Sequence, residues 1–207
     1  MHLPDGIISL EQAIIYWCIT IVIVAIFSYL FSKNEDKEKT TVLIALFSVF
    51  FVVISSLSIP SPLGVPIHFF LIPLVAILLG PFNGSIVSFF GLLIQALALN
   101  MGGIVCFGAN FLVIGVIVSF TTYGLYQVLV NLDEKIAIFL ATIGGIIFAT
   151  FGQVLILMLS GAMNFDSLLA TLVPFYLFIG IIEGFANIII IYSIKRIKPE
   201  LMEINKF

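Results

Sequence analysis

Of 207 residues, 62% are hydrophobic and only 9% charged, with mean hydropathy +1.30; so little polar side chain excludes a water-soluble globule and marks an integral membrane protein. A net charge of −3 without any basic tract excludes an electrostatic footprint for nucleic acid. The two cysteines, Cys18 and Cys106, stand singly in apolar stretches, which excludes a disulfide frame or a CxxC cluster and reads as two small buried hydrophobes.

The chain opens MHLPDG, with neither the basic region nor the A-x-A-like site of a secretory signal. Met1 is expected to be the mature terminus, and the bulk of His2 to protect it from removal, so that its α-amine is free. Pro4, Asp5 and Gly6 supply a turn that folds this end back.

Six segments then have the roughly 20 apolar residues needed to cross about 30 Å of hydrocarbon: 9–31, 41–59, 83–99, 104–130, 136–159 and 168–194. Between the second and third of these lies IHFFLIPLVAILL, 67–79, interrupted by Pro73 and closed by Gly80-Pro81. It is short for a span, so it either just crosses or is re-entrant; the preferred architecture is all-α, polytopic, with about seven transmembrane helices. Charged or Pro/Gly-rich breaks at 34–40, 60–66, 80–84 and 100–103 separate the segments. No internal repeat is visible, so 1–207 reads as one membrane domain: an amino-terminal segment 1–8, a bundle 9–194 and a tail 195–207.

All eight basic residues fall at Lys33, Lys37 and Lys39, at Lys135, and at Lys195, Arg196, Lys198 and Lys206. With seven crossings these share one side, which the positive-inside rule makes cytoplasmic. The amino terminus is then outside, the carboxyl terminus inside, and the only two histidines, His2 and His68, lie on the same outer face.

This placement carries a chemistry. The Met1 α-amine, the deprotonated main-chain nitrogen of His2 and His2 Nδ1 can close a five- and a six-membered chelate ring around one divalent ion. A fourth nitrogen from His68 completes a planar all-nitrogen set of the kind that suits Ni(II) or Cu(II), and Co(II) can be held the same way. His68, expected near the amino end of a helix, would be kept neutral by the dipole.

The residues that carry this pattern also carry a resemblance. MHLPDGIIS, the Pro/Gly loop leading to His68, AILLGP at 76–81, LLIQAL at 92–97, Gly102-Gly103 and FGAN at 107–110, in that order, resemble the CbiM/NikM family. These are the substrate-binding components of energy-coupling-factor transporters for cobalt and nickel. The likeness runs from Met1 to IGIIEG at 179–184. It implies a seven-helix subunit whose amino terminus enters the core from outside and supplies Met1 and His2, with His68, as metal ligands. It also implies a transmembrane coupling subunit, two ATPase subunits and a possible small accessory membrane subunit as partners, the cell membrane of a prokaryote as the location, and the metal as cargo. The chain departs from the family pattern at FFLIP (69–73), NMGG (100–103) and FLVIG (111–115), which leaves the ligand set intact and alters its surroundings.

Other polar residues are interior by default, because exposure to lipid costs several kcal/mol. Glu183 is the one carboxylate deep in a span, either on an ion path or a packing element; Gln95, Asn110 and Gln153 are candidates to bond the amino-terminal segment, Asn110 foremost; Asp5 is a further candidate oxygen donor. No GxSxG, HExxH or paired intramembrane aspartate is present, so the chain is read as a transport subunit and not an enzyme. The sequence leaves two alternatives open: a capture subunit for an organic micronutrient, and a membrane scaffold or enzyme in which the terminal nitrogens are idle.

Overall fold

Capping residues start the helices where the charged and polar breaks fall. Ser9 and Gln12 form a reciprocal capping box; the Asp133 carboxylate accepts from the Ile136 N–H at 2.9 Å and the Asn164 amide from the Ser167 N–H at 3.1 Å. The computed structural model describes residues 2–34, 36–57, 68–162 and 164–198. Among them the chain forms no strand and seven helices: α1 Leu10–Ser32, α2 Lys37–Ser56, α3 Ile72–Leu79, α4 Pro81–Ala98, α5 Phe107–Leu129, α6 Glu134–Leu159 and α7 Phe165–Ile197. All except α3 are long and apolar enough to cross a membrane.

Of the stretch at 67–79, the described residues, 68–79, are helical only from Ile72, because Pro73 is tolerated in the first helical turn and not further in. The eight residues of α3 rise only about 12 Å, and every one is buried. Residues 68–71, which are not helical, lead into it, with Leu71 in the left-handed region at φ +60°. The described part of the third passage, 68–79, is thus a short irregular lead-in followed by about two turns of helix. Gly80, at φ +88°, turns α3 directly into α4. The hairpin closes tightly, since a Cβ at Gly84 would sit 3.3 Å from Ala76 Cα.

Small residues set the remaining close approaches. A Cβ at Gly108 of α5 would lie 2.7 Å from the main chain at Tyr16 and Trp17, which lets α1 cross against α5 there. The Thr20 hydroxyl donates to the Gly108 carbonyl at 3.3 Å, and Trp17 Nε1 to the Ile104 carbonyl at 3.0 Å. Gly144, Gly145 and Gly152 of α6 face Leu125, Thr122 and Ile117 of α5, so this small-residue face is used within the chain.

Helix direction alternates along the chain. Lys33, Lys37, Lys39, Lys135, Lys195 and Arg196 therefore collect at one end of the bundle, where Glu134 pairs with Lys195 and accepts from the Tyr126 and Tyr192 hydroxyls. His2, Gln95 and His68 occupy the other end. Met1, the loop at 60–66 and Lys206 lie outside the described residues.

Candidate metal site

The segment that follows Met1 is threaded into the bundle. Leu3 is 3% exposed, and its peptide is paired edge to edge with the Asn110 amide: the Leu3 N–H donates to Asn110 Oδ1 at 2.7 Å, and Asn110 Nδ2 donates to the Leu3 carbonyl at 3.0 Å. The Gly103 N–H donates to the same carbonyl at 3.1 Å. Gly102 takes φ +75°, and a Cβ there would crowd Asn110 Nδ2 at 3.2 Å and touch the His2 ring; a Cβ at Gly103 would overlap the Asp5 carboxylate. The paired glycines thus leave room for the inserted end. Asp5 Oδ1 accepts from the Cys106 N–H at 3.1 Å, and Cys106 Sγ donates to the Pro4 carbonyl at 3.1 Å. Asp5 accordingly fastens the turn.

Below this strap, His2 and His68 line one cavity of about 310 Å³ together with Ser55, Gly102 and Tyr176. His2 Nε2 lies 3.1 Å from Gln95 Oε1, and His68 Nδ1 lies 3.1 Å from the Ser55 peptide carbonyl. Each of these oxygens can only accept, so both ring nitrogens carry the proton. His2 Nδ1 and His68 Nε2 are left with lone pairs, which are the nitrogens a planar chelate from the amino terminus requires. Among the described residues no group of three or more His, Cys, Asp and Glu side chains converges. Any ion held here therefore draws on main-chain donors as well as the two rings.

His68 lies four residues before α3, not on its first turn, so the helix dipole does not hold its ring as expected from the sequence. Glu183 meets that helix end instead. Its Oε2 accepts from the Phe70 N–H and its Oε1 from the Leu71 N–H, both at 2.9 Å. Leu71 sits at φ +60°, a left-handed conformation that costs a leucine about 1–2 kcal/mol. These two bonds satisfy main-chain groups that have no water to turn to at this depth, and they fix the irregular segment that carries His68. Gln153 is also interior, but its Oε1 has no hydrogen-bond partner among the described residues.

Burial pushes the His2 imidazole down to about 4, against the opposing bond to Gln95. A lowered imidazole pKa means that the neutral, ligating form persists to acid pH. In the metal-free protein the ring nitrogens should titrate near pH 4 by ¹⁵N chemical shift; a midpoint near 6.5 would show that the ring is not enclosed.

Sequence reasoning missed Ser55 and Cys106. A serine in an apolar span ordinarily bonds its own helix, and Ser55 does so through the Phe51 carbonyl, so nothing in its position signals the second role. Cys106 reads as a small apolar residue because only its main-chain N–H and weak thiol donor act.

A family model described as a cobalt uptake substrate-specific transmembrane region matches residues 2–201. The chain is 30% identical to a cobalt transport protein CbiM of Thermosipho melanesiensis, over 98% of this chain and 90% of that one. It is 29% identical to a cobalt transport protein CbiM of Clostridium tetani, over 98% and 79%. A solved structure of a truncated transition metal transporter superposes with a TM-score of 0.86 at 24% identity, covering 95% of this chain and 99% of that one, and so shares its fold.

Proposed function

The chain belongs to the CbiM family, whose members are membrane components of cobalt uptake and not enzymes, and on that premise we propose that it is the substrate-capture subunit of an energy-coupling-factor transporter for Ni(II) or Co(II). The ion is held in a plane by four nitrogens: the Met1 α-amine, the His2 main-chain nitrogen, His2 Nδ1 and His68 Nε2. The observation that carries this reading is the pair of complementary ring orientations, with Nε2 of His2 and Nδ1 of His68 both engaged and the other nitrogen of each ring open in a shared cavity. Gln95, Asn110, Asp5 and Glu183 act behind these donors, holding ring, strap, turn and His68 segment respectively.

In this reading the lysine-rich end is cytoplasmic and the site faces outward, in the cell membrane of a prokaryote. The chain shows no GxxxxGK[ST] segment, so the energy for releasing the ion inward comes from a transmembrane coupling subunit and two ATPase subunits, with room for a small accessory membrane subunit. An organic micronutrient would need a wider cavity than one whose mouth is crossed by the amino-terminal strap.

Calorimetric titration of the purified, unblocked protein tests the proposal. One Ni(II) or Co(II) should bind per chain, and His2→Ala and His68→Ala should each weaken it by more than about a hundredfold, beyond the 10–100-fold carried by outlying partners. Retained affinity in either variant would remove that ring from the site.

A further inference from the structure

We propose that Ser55 is a positioning residue for the bound ion, its hydroxyl selecting which nitrogen His2 turns toward the metal. The inference rests on the metal-capture reading above and concerns an arrangement of protons present before any ion arrives.

The hydroxyl has one proton, and the Ser55 side chain gives it to the Phe51 carbonyl, which can only accept. What faces Gln95 is therefore a lone pair, and Gln95 Nε2 donates to it at 2.7 Å. This fixes the amide: with its NH₂ group toward Ser55, its Oε1 must face the His2 ring, 3.1 Å from Nε2. The proton of neutral His2 is then drawn to Nε2, and Nδ1 keeps the lone pair. Were the amide reversed, its NH₂ would face the ring, Nε2 would become the acceptor, and the proton would move to Nδ1. That nitrogen is the one within six-ring reach of the His2 main-chain nitrogen, so the reversed state cannot close the chelate.

Both groups are enclosed. Ser55 is 3% exposed and Gln95 fully buried, so no bulk water competes for either hydrogen bond. The same residue also holds the second ring, because the Ser55 peptide carbonyl takes the His68 Nδ1 proton at 3.1 Å. One residue near the end of α2 thus orders the protons on both histidines, through its side chain for one and its main chain for the other. Only the first of these arms is open to substitution.

The test reads the tautomer directly and the affinity alongside it. In the metal-free protein, ¹⁵N shifts of the His2 ring should show the proton on Nε2 alone. Ser55→Ala should bring up an Nδ1-protonated fraction and weaken Ni(II) binding at least fivefold, and Ser55→Thr should restore both. In a Gln95→Ala background, Ser55→Ala should add less than twofold, because the hydroxyl acts through that amide. Thermal unfolding checks that the variants fold, and Ser55→Cys, close in shape and a poorer acceptor, replaces Ser55→Ala if the latter does not. An unchanged His2 tautomer in the alanine or cysteine variant, or an equal loss of affinity with and without Gln95, overturns the role of Ser55. Wild-type protein that binds no Ni(II), or binds it equally after His2→Ala, overturns the metal reading instead; the metal-free tautomer measurement still decides the part played by Ser55.

Discussion

Placing Gly-Ser ahead of Met1 should abolish Ni(II) and Co(II) binding while leaving every side chain in place. In the proposed site, with Met1 first, the α-amine and the His2 main-chain nitrogen would share a five-membered ring, and that nitrogen and His2 Nδ1 a six-membered one. Two added residues turn the Met1 amine into a peptide nitrogen and carry the free amine too far from the His2 ring to rebuild the same rings. They also need space where Gly102, Gly103 and Asn110 already close around the strap. The expected loss exceeds about a hundredfold, since the terminal amine is lost and with it the ring that anchors the His2 main-chain nitrogen, while supporting groups alone account for 10–100-fold. Two residues are preferable to one, because a terminus with His in third place offers a planar four-nitrogen set of its own and would bind nickel without the bundle. Calorimetry on the native and extended forms makes the comparison, and equal affinity would show that the amine is idle.

The second large effect is expected at Glu183. Its carboxylate receives two main-chain N–H groups, from Phe70 and Leu71, in the unwound part of the third passage. Glu183→Gln keeps the shape but offers one acceptor and one donor, so an N–H faces an NH₂ group in a buried site. Leaving a buried donor unsatisfied costs about 1–3 kcal/mol, and the left-handed Leu71 is no longer held. The unfolding midpoint in detergent should fall by several degrees, and Ni(II) affinity by about 10–100-fold as the His68 segment loosens. An unchanged unfolding midpoint with unchanged affinity would show that the carboxylate is not the clamp, and would reopen its reading as part of an ion path.

How much of this could be read from the chain depends on the kind of interaction. The six long helices are legible because each is a long, predominantly apolar run bounded by charged, polar, Pro or Gly residues. The third passage is legible only as an ambiguity: hydropathy shows 13 apolar residues but not where Pro73 lets the helix begin, and so it misplaces His68 on a helix end. His2 and His68 stand out as rare, chemistry-bearing residues, and the structure brings them to the end of the bundle away from the lysines. Glu183 is conspicuous as a buried carboxylate, yet its partners are main-chain N–H groups, which carry no sequence signal. Asn110, Gly102 and Gly103 are legible as a spaced set through resemblance, and their physical reason, a strap of main chain packed against them, emerges only in three dimensions. Ser55 is illegible because its hydroxyl and its carbonyl serve different rings.

The most direct test of the central claim is X-ray absorption at the nickel edge on protein loaded with one Ni(II) per chain. A clasp formed by the amino terminus, His2 and His68 predicts a four-coordinate planar ion with nitrogen donors only, two of them imidazoles. A six-coordinate ion bound mainly through oxygen, or a single imidazole in the shell, would contradict it.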